Sequence, residues 1–160
     1  MMNTVGFIAR RLTLGLIVAF CSAVLGGCVY DVPITAQPTR KVDPGLLGDW
    51  TSKDGKDKMK VVRLDDGNYI VSYNGDLYRA YHSDVDQTAF FSVQILGEVK
   101  PKYAYSAWTL SDDGALHGRT VSDKVVPDET KDSASVRKLL KKNLHNPALF
   151  ESETQFTKDK

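Results

Sequence analysis

His82, Ser83, Asp84, Val85 and Asp86 form the one stretch of this 160-residue chain in which metal-ligating side chains recur at alternate positions. Three nitrogen or oxygen ligands so spaced could hold a cation. Asp84 and Asp86 suit a hairpin turn equally well, because short acidic side chains bond their own backbone there. His117 and His145 stand apart from this cluster. Asp65-Asp66-Gly67 and Asp112-Asp113-Gly114 lack the further ligands of a calcium loop and read as turns. No Gly-x-Ser-x-Gly elbow, phosphate loop or His-Glu-x-x-His pair occurs. The expectation is a non-enzymatic protein with no catalytic residue and no metal site.

The remaining reactive residue is a cysteine. Of the 2 in the chain, Cys28 lies near the end of a run of nineteen uncharged residues from Leu12 to Tyr30, itself preceded by Arg10 and Arg11. A basic start, an apolar middle and small residues before the cut describe a secretory signal. Leu25-Gly26-Gly27-Cys28 resembles the lipobox of bacterial lipoproteins. That resemblance implies recognition of Leu25, Gly26 and Gly27 by a signal peptidase and cleavage before Cys28. It also implies diacylglycerol on the Cys28 sulfur and acylation of the freed amine. The covalent lipid would be the only prosthetic group. Val29, in place of the aspartate that diverts such proteins to the inner membrane, favours the periplasmic face of the outer membrane. The competing reading is an uncleaved membrane helix, since roughly 20 apolar residues can span a bilayer.

Composition agrees with an exported single domain. The 21 Lys+Arg against 20 Asp+Glu lack the basic excess of a nucleic-acid binder. Removal of residues 1–27 would leave 19 basic and 20 acidic residues and, with Cys21 gone, no second thiol for a disulfide. Packing alone would then hold the fold.

The elements that follow are mostly strands. Residues 28–44, with Pro33, Pro38 and Pro44, read as a lipidated cysteine and a flexible tether able to stretch to ~55 Å at ~3.3–3.6 Å per residue. The alternative there is a strand at Val32–Thr35 paired to a sheet edge. From residue 45 to 160, Asx-Gly pairs at Asp54, Asp66, Asn74 and Asp113 mark hairpins. Between them we read strands near 48–52, 57–64, 68–73, 77–82, 88–95, 103–110 and 115–122. Tyr69, Val71 and Tyr73 share one face, Phe91, Val93 and Ile95 another, and Tyr103, Tyr105 and Ala107 oppose Ala104, Ser106 and Trp108. The prediction is a mainly β fold, a small antiparallel barrel or sandwich. One C-terminal α-helix is expected near 132–145, with Val136, Leu139, Leu140 and Leu144 on its apolar stripe. Asp132 or Ser133 would cap it, and a last strand would cover 151–157. The opposite helix face, with Arg137, Lys138, Lys141 and Lys142, is either solvated or turned to anionic headgroups.

Two family likenesses follow from these residues. Gly48-Asp49-Trp50 resembles the Gly-x-Trp start of lipocalins, which implies a calycin-like barrel with the tryptophan plugging one end. Lipobox, proline-bearing spacer, Leu47–Trp50, β meander, helix and Asn146–Phe150 together resemble short proteobacterial lipoproteins of unknown function. The expected role is a membrane-anchored periplasmic binding or envelope module, its partner a periplasmic protein or a small apolar ligand. The alternative is a lipocalin-like carrier of such a ligand.

Overall fold

The structure is a computed structural model that describes residues 29–160. The segment expected to be a signal, residues 1–27, and Cys28 lie outside the described residues.

Eight strands follow one another in chain order: β1 (Gly48–Ser52), β2 (Lys58–Arg63), β3 (Asn68–Tyr73), β4 (Asp76–His82), β5 (Phe90–Ile95), β6 (Lys102–Leu110), β7 (Leu116–Val121) and β8 (Phe150–Lys158). Each pairs antiparallel with the next, and β8 returns to β1 with Trp50 opposite Lys158 and Ser52 opposite Phe156. The sheet is therefore a closed barrel, and it has no edge. Asn74-Gly75 makes the tightest turn. Both residues have positive φ (49° and 99°), so Tyr73 and Asp76 pair directly across a two-residue loop. The Asp66-Gly67 turn works differently. The Asp65 carboxylate accepts the backbone N–H groups of Gly67 and Asn68.

Alternation sorts the side chains into two cores. Inside the barrel lie Trp50, Val61, Tyr69, Val71, Phe91, Val93, Leu116 and Phe156. Outside it, a second core forms where the helix α1 (Ser133–Lys142) and residues 30–34 cover the wall made by β5, β6 and β7. This explains why Phe90 to Val93 are buried without alternation. Phe91 and Val93 face inward, while Phe90 and Ser92 lie beneath the covering layer. Val136 and Leu140 of α1 are fully buried there, with Leu139 and Leu144 at the margin. Asp132 is the helix cap, its carboxylate accepting the Ser135 N–H at 2.8 Å.

The tether expected over 28–44 is corrected for its described part. Tyr30 and Ile34 are completely buried and Val42 nearly so. Tyr30 pairs with Tyr103 beyond the end of β7, stacks on Tyr105 at 3.9 Å, and donates its hydroxyl to the Val126 carbonyl. The segment then crosses β5 and β4, where the Ile34 N–H meets Ser92 Oγ and Tyr81 donates to the Thr35 carbonyl. Finally it straps one barrel end through Thr39 N–H to His82 O and Val42 N–H to Asp66 O. The prolines gave it an extended path without freeing it. Each fully buried large apolar side chain contributes roughly 1.5–3 kcal/mol, enough to dock a segment that carries two of them.

Candidate functional site

The two ends of the barrel differ. One carries the β2–β3, β4–β5 and β6–β7 turns and is sealed. Trp50 is buried to 1% exposure there and donates its indole N–H to the Leu46 carbonyl at 3.0 Å. Lys158 lies over the ring, its Nζ 5.3 Å from the centroid. Gly48 is required for that stacking. Its φ is +139°, and a Cβ would come within 2.6 Å of Lys158 Cε. Tyr69, His82 and Phe91 complete the plug, with the His82 and Phe91 rings 4.3 Å apart.

The opposite half is hollow. A cavity of about 260 Å³ lies between Met59, Val71, Tyr73, Val93, Trp108 and Phe156. Asp57, Tyr78, Ser152 and Thr154 also line it. The space exists partly because Gly118 contributes no side chain to β7. A Cβ there would meet only ordinary contacts, at 3.8–3.9 Å, from Phe156, Thr154 and Trp108. One polar group in the wall is unanswered. Ser106 Oγ is buried and has no hydrogen-bond partner. Burial pushes the Tyr73 phenol up to about 12 and raises that of Tyr78, so both stay neutral hydroxyls at physiological pH. Surface depressions elsewhere are larger but open. One of about 400 Å³ lies along Arg119, His145, Asn146, Glu151 and Glu153.

The aromatic residues of the sheet divide by position. Tyr73, Tyr78 and Trp108 line the cavity, and Tyr69 and Phe91 fill the plugged end. Phe90, Tyr103 and Tyr105 belong to the outer core. Ser106, Gly118, Met59 and Thr154 gave no signal in the sequence as cavity residues. The alternation of β6 placed Ser106 on one face with Ala104 and Trp108 but did not show that this face borders a cavity.

The sequence cluster at 82–86 is taken apart by the fold. His82 Nε2 pairs with the Tyr69 hydroxyl at 3.0 Å. Ser83 Oγ bonds Thr35 and Ser92. Asp84 receives the Arg40 guanidinium at 2.6 and 2.8 Å, and Asp86, at φ 53°, turns the chain and pairs with Lys141. Among the described residues no three His, Cys, Asp or Glu side chains are placed to hold a metal. His117 pairs with Glu153 at 2.8 Å on the outside, and His145 lines the open groove. The geometry offers an apolar shape, with the unpartnered Ser106 hydroxyl buried in its wall. Set against protein-family models, curated proteins and solved structures, the chain matches none of them.

Proposed function

We propose that this protein is a lipid-anchored, periplasmic, non-enzymatic binding barrel of the outer membrane that holds a small, mostly apolar ligand. The barrel cavity carries this reading. A ~150 Å³ apolar cavity accepts benzene, so about 260 Å³ suits a molecule of about ten heavy atoms. That lies just under the ~300 Å³ at which pockets for larger ligands begin. The walls are aromatic and aliphatic, and the one unpartnered hydroxyl nearby, Ser106 Oγ, is buried within the wall. The arrangement, with a tryptophan-plugged end opposite the hollow one, is compatible with a calycin-like carrier.

Gly118→Leu places a side chain in the hollow without touching the plug. Naphthalene titrated into the mature chain, followed by the methyl resonances of Met59 and Val71, is expected to bind. In Gly118→Leu the affinity should fall by more than about tenfold, and Gly118→Ala should fold with stability raised by about 0.4–1 kcal/mol. Equal binding by wild type and Gly118→Leu would place the ligand elsewhere and remove the cavity as the site.

The anchoring half of the proposal rests on Leu25-Gly26-Gly27-Cys28. Incorporation of a palmitate analogue into the cell-made protein is expected, and its loss in Cys28→Ala. Label that persists in the variant would refute the assignment.

A further inference from the structure

The start of the described chain is not separated from the barrel. Tyr30 is fully buried and paired to Tyr103 at the start of β6, and Val29 precedes it. On the lipidation reading above, the acylated Cys28 is one Cα–Cα step of ~3.8 Å from Val29. The leash is absent, and the barrel must rest against whatever its lipid enters. The side on which it rests is the unplugged end, where β6 begins.

That end has the surface such contact requires. The β5–β6 hairpin carries Val99, fully exposed at its tip, and Leu96, 39% exposed. Leu77 of β4 lies beside Leu96, whose N–H donates to the Leu77 carbonyl, and is 52% exposed. Lys100 and Lys102 share a depression of about 480 Å³ with Asp31 and Pro33, which ties the hairpin and the chain start into one surface. Lys102 and Lys131 both reach Asp31, and with Lys100 they balance the acids of this face, Asp31, Asp76 and Glu98. Each such lysine near an anionic surface is worth roughly 1 kcal/mol. Exposed apolar residues also occur at the plugged end, at Leu64 and Leu110. They adjoin Asp65-Asp66 and Asp112-Asp113, which anionic headgroups repel.

We infer that the barrel docks on the anionic bilayer through the β5–β6 hairpin and the chain start. The cavity lies in the half of the barrel at this end, so its ligand exchanges with the membrane interface rather than with bulk periplasm. The inference rests on the lipid-anchor reading, and the two separate experimentally. Mature wild type has no free thiol once Cys28 is acylated. Val99→Cys and Leu64→Cys in the full, cell-acylated protein therefore each take a single environment-sensitive fluorophore.

After reconstitution into vesicles of three parts phosphatidylethanolamine to one of phosphatidylglycerol, the label at 99 should shift to the blue. It should also lose most of its intensity to nitroxide-bearing lipids, while the label at 64 behaves as in buffer. A protein that floats with the vesicles but shows both labels unquenched, or only position 64 quenched, overturns the docking face and leaves the anchor standing. A protein that does not float, with Cys28 unmodified by mass, removes both.

Discussion

Trp50→Ala is expected to cost this domain about 4 kcal/mol, within the ~3–5 kcal/mol range for buried tryptophan truncations. The residue is 1% exposed and closes one end of the barrel, so the vacated space opens on the inner core rather than on solvent. Truncation also deprives the Leu46 carbonyl of its indole donor and leaves the Lys158 stem without its aromatic floor. Domain stabilities run at about 5–15 kcal/mol, so the loss is a large part of the whole.

Trp108 makes the instructive contrast. It stacks on Phe91 at 4.3 Å but is only half-buried and already borders the cavity. Trp108→Ala merely widens an existing hollow, at about 1–3 kcal/mol. Urea unfolding followed by far-ultraviolet circular dichroism measures both. A Trp50→Ala variant within about 1 kcal/mol of wild type would mean that the plug does not hold the barrel shut.

The contrast between the two tryptophans also shows how far the sequence is legible. The strands were readable to within about two residues, because turn chemistry is local. Asn74-Gly75 announces its own φ values, and the period-2 pattern from Tyr69 to Tyr73 follows from the pleat. Gly48-Asp49-Trp50 could be seen as a plug, yet nothing in the sequence shows which residue lies over the ring. That residue is Lys158, set over the ring by the β1–β8 register that closes the barrel. Closure is a property of eight strands together, and no window of residues contains it. This left barrel and sandwich undecided.

The cavity was hidden for the same reason. Met59, Ser106, Gly118 and Thr154 come from four strands and meet only when the sheet curls. The segment at 30–44 went wrong differently. Three prolines in seventeen residues argued for a spacer, while Tyr30, Ile34 and Val42 were too sparse to show a period. A strap that packs one residue at a time leaves no periodic trace.

Beneath that strap lies the second large effect, a loss of stability on mild acidification. The Tyr69 hydroxyl accepts the Asp43 N–H at 2.6 Å and shares a 3.0 Å hydrogen bond with His82 Nε2. The other ring nitrogen, Nδ1, is buried without a partner. Burial, and next the Arg40 guanidinium, disfavour a second proton more than Asp84 and Asp43 favour it. The ring's pKa falls from an ordinary 6.5 to about 4. Between those values the unfolded chain binds the proton and the folded one does not, so stability drops as pH falls.

The contribution is fully present above pH 6.5, and at 1.36 kcal/mol per pH unit about 3 kcal/mol is lost by pH 4. Asp31, Asp54, Asp65, Asp113 and Asp132 are held below the ordinary carboxylate value of 3.8 by hydrogen bonds. Their own losses run mainly below that value and overlap only the acid end of the histidine's window. Urea unfolding at steps from pH 7 to 4.5 should show the decline in wild type. In His82→Gln, whose amide can still bond the Tyr69 hydroxyl in either direction, the profile should be nearly flat over the same interval. An equal slope in the variant would assign the acid sensitivity to other groups. A flat wild-type profile would show that His82 takes its proton in the folded barrel at no cost. In the expected case the strap, tied to this network through Asp43 and through Thr39 N–H on His82 O, is the first part of the fold to feel the charge.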